Sequence, residues 1–172
     1  MGRDKALLPF RGTFLGKSVA QAVHEAAGNV TLVGDLALAE SIGYPAIADH
    51  YPGEGPLGGV LTALQHTTAD WNLITACDMP ELTPDFLIGL LDAAWRAGAD
   101  VLMPAGPAGL PEPLCAVYRR EAHEEIAAAF RGGIRKVTAA FAGLRVVQIP
   151  VTEIKPFQNV NTPEDWAGYA AG

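Results

Sequence analysis

An α/β fold built on a mostly parallel sheet is what this sequence predicts, on three observations. Short runs rich in Val, Ile and Leu alternate with stretches of helical periodicity, the pattern of strands joined by crossover helices. The 172 residues, 49% hydrophobic and 18% charged, are enough to bury one core and suit one domain spanning 1–172. No internal repeat or low-complexity stretch breaks the alternation.

Each element follows from local chemistry. Val19, Val23, Ala26 and Ala27 share one face of a helix predicted over 13–27, which Gly28-Asn29 ends. Val30-Thr31-Leu32-Val33 reads as a buried strand and Ala46-Ile47-Ala48 as a second. A loop over 49–55 leads into a helix over 57–66. Trp71-Asn72-Leu73-Ile74-Thr75-Ala76 is the clearest strand and ends at Cys77-Asp78. Thr83-Pro84 starts a helix, with Thr as N-cap and Pro at the first helical position; that helix runs to 97 and stops at Gly98. Strands at 101–103 and 114–118 follow, then helices at 121–130 and 134–141 and a strand at 146–149. Thr162-Pro163 repeats the Thr-Pro cap and opens a last helix to 169.

The composition excludes several classes of function. A net charge of −7 without clustered Lys and Arg argues against a nucleic-acid partner. It leaves room for a nucleotide, because one lysine and a metal ion can neutralise a triphosphate locally. There is no apolar run of the ~18 residues a membrane span needs and no signal peptide, so no membrane partner is expected. Cys77 and Cys115 lack C-x-x-C spacing, which suits reduced thiols in a cytoplasmic protein. His24, His50, His66 and His123 show no metal-ligand spacing, so no zinc centre is expected.

Parallel sheets bind ligands beyond the carboxyl ends of their strands, where Val33-Gly34, Asp49 and Asp78 all fall. Asp78 closes an apolar strand ahead of Met79-Pro80. There it suits either a Mg²⁺ ligand beside phosphates or an aspartate capping a turn. Lys5 precedes an apolar stretch and suits either a phosphate contact or a solvated surface position. Gly55-Pro56-Leu57-Gly58-Gly59 is a tight turn opening a helix. Glycines there allow close backbone approach to a ring or ribose, or simply a sharp connection. Thr162 and Asp165 resemble a capping box, which leaves Asn159 and Asn161 unexplained on one face of an extended segment. Gly12-Thr13-Phe14-Leu15-Gly16-Lys17-Ser18 is not a phosphate-binding P-loop, since its glycines are one residue too close.

Four segments in order carry a resemblance: Met1-Gly2-Arg3-Asp4-Lys5-Ala6-Leu7-Leu8, Asp49 with Gly55-Pro56-Leu57-Gly58-Gly59, Ala76-Cys77-Asp78-Met79-Pro80, and Asn159-Val160-Asn161-Thr162-Pro163-Glu164-Asp165. Together with Pro113-Leu114-Cys115-Ala116-Val117-Tyr118 they resemble the molybdenum cofactor guanylyltransferases, within the wider Rossmann-like nucleotidyltransferases. That resemblance covers essentially the whole chain. It implies helices on both faces of a twisted sheet and transfer of GMP from GTP to molybdopterin-bound molybdenum cofactor, with Mg²⁺ as cofactor and pyrophosphate released. Lys5 would neutralise the triphosphate and Asp78 would hold the metal. Asp49, Gly55, Pro56, Leu57 and Gly58 would line the guanosine end, and Asn159 and Asn161 the molybdopterin side. Molybdoenzymes or their chaperones would receive the product.

Two departures from the family pattern stand out. The family's first strand and glycine-rich loop should precede Lys5, and only Met1-Gly2 remains of that loop; the natural protein is expected to begin roughly 15 to 20 residues earlier. Some members place an Asn after the strand that here ends at Val33-Gly34-Asp35, which loosens the expectation of guanine. The alternatives are a CTP-dependent or sugar-phosphate nucleotidyltransferase, or a non-catalytic cofactor-binding scaffold lacking the phosphate loop.

Overall fold

A computed structural model of the chain describes residues 5–152. Lys5–Leu7 forms a single 3-10 turn, and a two-residue hairpin follows, β1 (Pro9–Phe10) against β2 (Thr13–Phe14). The helix expected from Thr13 begins two residues later, as α1 (Leu15–Ala27), because Thr13 and Phe14 are held extended by the hairpin. Gly28 closes α1 in the left-handed conformation, its N–H donating to the His24 carbonyl.

β3 (Leu32–Val33) and β4 (Ala46–Ile47) pair in parallel. Between them lies α2 (Leu36–Ile42), a helix the periodicity did not announce. Asp35 caps it, its carboxylate accepting from the Ala37 and Leu38 N–H groups at 2.8 and 3.4 Å. α3 (Pro56–His66) starts at Gly55 and carries Leu57, Val60, Leu61 and Leu64 into the core.

The main sheet contains β5 (Trp71–Thr75), β6 (Val101–Ala105), β7 (Cys115–Arg119) and β8 (Val146–Pro150), in the order β5-β7-β6-β8. β6 and β8 run parallel, as the alternation of strands and helices predicts. β7 is the exception, antiparallel to both β5 and β6. The connection from β6 to β7 holds no helix, and a parallel return needs a crossover of about a dozen residues or more. α4 (Pro84–Ala97) and α5 (Ala122–Arg131) are the remaining α-helices among the described residues. The helix expected over 134–141 is a 3-10 turn, Val137–Phe141, too short to recover the cost of α-helix nucleation. The expected helix from Thr162 lies outside the described residues.

Strand alternation sends side chains into two cores. Leu102, Cys115 and Val117 pack with Val19 and Val23 of α1 and with Leu87 and Leu90 of α4 on one face. Val101, Met103, Ala116 and Tyr118 pack with α3 and α5 on the other. Helices therefore cover both faces, and the carboxyl ends of β5, β6 and β8 point the same way. Among the described residues no helix is long and apolar enough to cross a membrane.

Candidate active site

Asp78 stands three residues beyond β5, in a loop anchored by the buried side chains of Met79 and Leu82. Lys5 opens the 3-10 turn, whose Ala6 is 3% exposed and rests on Gly16 of α1. A Cβ on Gly16 would meet the Ala6 Cβ at 2.9 Å and the Ala6 carbonyl at 3.1 Å, so only glycine lets the turn lie this close. That close approach, rather than phosphate binding, accounts for Gly16. The result is that Lys5 Nζ donates to Asp78 Oδ2 at 3.3 Å across 73 residues of sequence. The side chains are 33% and 17% exposed, enough for an incoming anion or cation to reach them.

Asp49 belongs to a second cluster. Its Oδ1 accepts from the Tyr51 N–H at 2.9 Å and from the Thr62 hydroxyl at 3.0 Å. Thr62, fully buried in α3, also lies 3.0 Å from the Gly58 carbonyl and accepts from the His50 N–H at 3.1 Å. Gly58 is packed so closely that an added Cβ would sit 2.8 Å from the Tyr51 Cβ. Gly55 has φ 80 and ψ −172, a conformation open in practice only to glycine. It supplies no side-chain cap to the N–H groups that follow. The turn is braced from the far side, where Arg135 donates to Glu54 and lies 4.0 Å over the Phe130 ring. Phe130 in turn makes a tilted ring contact with Tyr51, centroids 4.9 Å apart.

The fold thus brings Lys5 to Asp78, and Asp49 to Gly58 through Thr62. Pro56 and Leu57 begin α3, Leu57 fully buried and Pro56 exposed. Asn159 and Asn161 lie outside the described residues. Thr62, Tyr51 and the pair Arg11–Glu81 were not foreseen; only Thr62 left a sequence signal, as a polar residue among Leu57, Val60, Leu61 and Leu64. Within Val33-Gly34-Asp35, Asp35 supplies the α2 cap.

Comparison with known proteins bears on what this arrangement is for. The family model described as MobA-like NTP transferase domain matches residues 1–146. The chain belongs to the MobA-like NTP transferase family. Among curated relatives, the molybdenum cofactor guanylyltransferase of Cupriavidus metallidurans is 29% identical over 171 residues, covering 95% of this chain and 84% of its own. The probable molybdenum cofactor guanylyltransferase of Deinococcus radiodurans is 32% identical over 168 residues, covering 96% and 85%. A crystal structure of the molybdopterin-guanine dinucleotide biosynthesis protein A from Archaeoglobus fulgidus superposes with a TM-score of 0.78 at 29% identity, over 98% of this chain and 89% of that one. This MobA-like chain is accordingly a nucleotidyltransferase with the α/β fold of that class.

Nucleotidyltransferases of this family work with a divalent metal ion. Among the described residues no group of three or more His, Cys, Asp or Glu side chains forms a metal cage. A single partly exposed carboxylate next to a lysine is a donor set that fits a hard ion whose other ligands are water and substrate phosphate. Asp78, 17% exposed beside Lys5, has the chemistry such an ion would need.

Proposed function

We propose that this chain transfers GMP from GTP to the molybdopterin form of the molybdenum cofactor, giving the guanine dinucleotide cofactor and pyrophosphate. The observation that carries the proposal is the Lys5–Asp78 pair at the carboxyl end of β5, set in a chain of this family. The names of relatives as guanylyltransferases support the choice of GTP.

In this reading Lys5 moves from Asp78 to a triphosphate oxygen, exchanging one anionic partner for another. Asp78 is the protein ligand of the metal ion, taken to be Mg²⁺, which supplies charge neutralisation at the phosphates when bound. The chain's remaining work is positioning. Gly55, Pro56, Leu57 and Gly58 offer a bare helix start and a close backbone surface to the guanosine. Asp49 acts behind them, fixing Tyr51 and Thr62. Asn159 and Asn161 are assigned to the molybdopterin side. A molybdopterin phosphate oxygen attacks the α-phosphorus in line, forming one P–O bond as the bond to pyrophosphate breaks. That phosphate is already ionised at neutral pH, so orientation and charge stabilisation supply the catalysis and no strong base is required.

The test is calorimetric titration of the chain with GTP and with CTP in the presence of MgCl₂. GTP binding that disappears in Asp78→Ala and weakens about tenfold or more in Lys5→Ala is expected. Preference for CTP would move the chain to the cytidylyl alternative. A folded chain that binds neither nucleotide would overturn the enzymatic reading of the site.

A further inference from the structure

Residues 11 and 12 form the two-residue tip of the β1–β2 hairpin, with φ values of 45 and 79. Both central residues in the left-handed region is the pattern that Asn-Gly and Asp-Gly satisfy best, since a larger side chain crowds its own carbonyl there. Arg11 is the only non-glycine residue with positive φ among those described. Local backbone preference does not explain an arginine at this position; its side chain does. Nη2 donates to Glu81 Oε1 at 2.9 Å, across 70 residues of sequence, and the guanidinium lies 4.7 Å from the Phe10 ring, itself 3% exposed.

Glu81 is three residues beyond Asp78. Two ion pairs, Lys5–Asp78 and Arg11–Glu81, therefore join the same two stretches of chain. They are not equivalent. In the function proposed above, nucleotide and metal ion each take one member of the first pair, so that link is released as the site fills. The second has no member assigned to nucleotide or metal ion, and joins Arg11, 63% exposed, to Glu81, 23% exposed.

We propose that Arg11 is a positioning residue, whose pair with Glu81 keeps the Lys5 turn in register with the Asp78 loop once nucleotide and metal ion have drawn Lys5 and Asp78 apart. The inference rests on the assignment of Lys5 to phosphate and Asp78 to metal. Its contribution belongs to the bound state, because in the free protein the Lys5–Asp78 pair does the same work.

Arg11→Asn separates this role from a structural one, since Asn suits the left-handed tip better than Arg. The expected result is an unfolding midpoint equal to or above that of the parent chain, with GTP binding in MgCl₂ weakened about three- to fivefold. Glu81→Gln should weaken binding to the same extent, and the double variant no further. A lowered midpoint with unchanged affinity, or two effects that add, would overturn the proposal. Amide hydrogen exchange of residues 78–82 without nucleotide supplies the independent reading. Arg11→Asn should accelerate it more in a Lys5→Ala background than in the parent, and equal acceleration in both would sink the idea. Should the parent chain bind no GTP, the functional assignment falls while the exchange comparison still decides whether the two pairs back each other up.

Discussion

Replacing Thr62 by Val is the perturbation whose cost the structure specifies most fully. The change preserves shape and branching and removes one hydroxyl from a site with no solvent exposure. That hydroxyl has one hydrogen and two acceptors within reach, Asp49 Oδ1 and the Gly58 carbonyl, each at 3.0 Å. The carboxylate is the stronger acceptor and takes it. The same oxygen accepts from the His50 N–H at 3.1 Å. Valine therefore forfeits one hydrogen bond to a charged group, worth about 1.5–3 kcal/mol, and one to a backbone donor, worth about 0.5–1.5 kcal/mol. The sum is about 2–4.5 kcal/mol, or roughly 4–18 °C in melting temperature for a chain of this size. Thr62→Ser keeps the hydroxyl and deletes one buried methyl, at about 0.5–1.5 kcal/mol. Urea unfolding of the three proteins makes the comparison. If serine proves as costly as valine, or valine falls within about 0.5 kcal/mol of the parent, the hydroxyl does not anchor the Asp49 loop.

The two cysteines should separate cleanly under a thiol reagent at pH 8. Cys77 is exposed, whereas burial and then the nearby Glu112 charge push the Cys115 thiol up to about 12, so Cys115 should react only on unfolding. Equal rates for both thiols would contradict that burial. Partial burial also raises the Glu112 carboxyl above its ordinary value. Its stabilising contribution is therefore full below the ordinary glutamate range and lost as pH rises through the raised value. Glu112→Gln should accordingly raise the melting temperature slightly at pH 7–8 and not at pH 4. A destabilised Gln variant at neutral pH would reverse the sign. Gly16→Ala should cost about 1–3 kcal/mol by overpacking against Ala6 and weaken GTP binding with it, measured by urea unfolding and calorimetry on one preparation. Unchanged affinity would show that Ala6 does not carry the placement of Lys5.

Where the local signals agreed, the fold was legible. Thr83, Pro84 and Gly98 bound α4 as expected, the Thr83 hydroxyl accepting from the Phe86 N–H at 3.3 Å. β5 stood out because Trp71, Leu73, Ile74 and Thr75 precede an acidic turn. α2 was readable in hindsight from Asp35 as cap and Gly43 as stop, but seven residues give too short a period to register. The β1–β2 hairpin hid because Arg-Gly is a poor turn signal beside Asn-Gly. Of the site, Lys5 and Asp78 were named on resemblance, while the residues alone left each divided between surface and chemistry. What joins them is a contact over 73 residues, which no local spacing encodes. The partners of Asp49 were out of reach for the same reason: Thr62 meets it only after α3 folds back on the loop.

That separation has a consequence for the order in which the molecule comes to life. During synthesis, Lys5 emerges early and Asp78 much later, and their registration depends on α1 packing against α4, which ends at Ala97. A nascent chain that has displayed only residues 1–77 carries the lysine without its Asp78 counter-ion. On the proposed roles of Lys5 and Asp78, such a chain holds no site at which nucleotide and metal ion can be engaged together. Competence therefore arrives in one late step, with closure of the α1–α4 face, and ligand added before then has nothing to template.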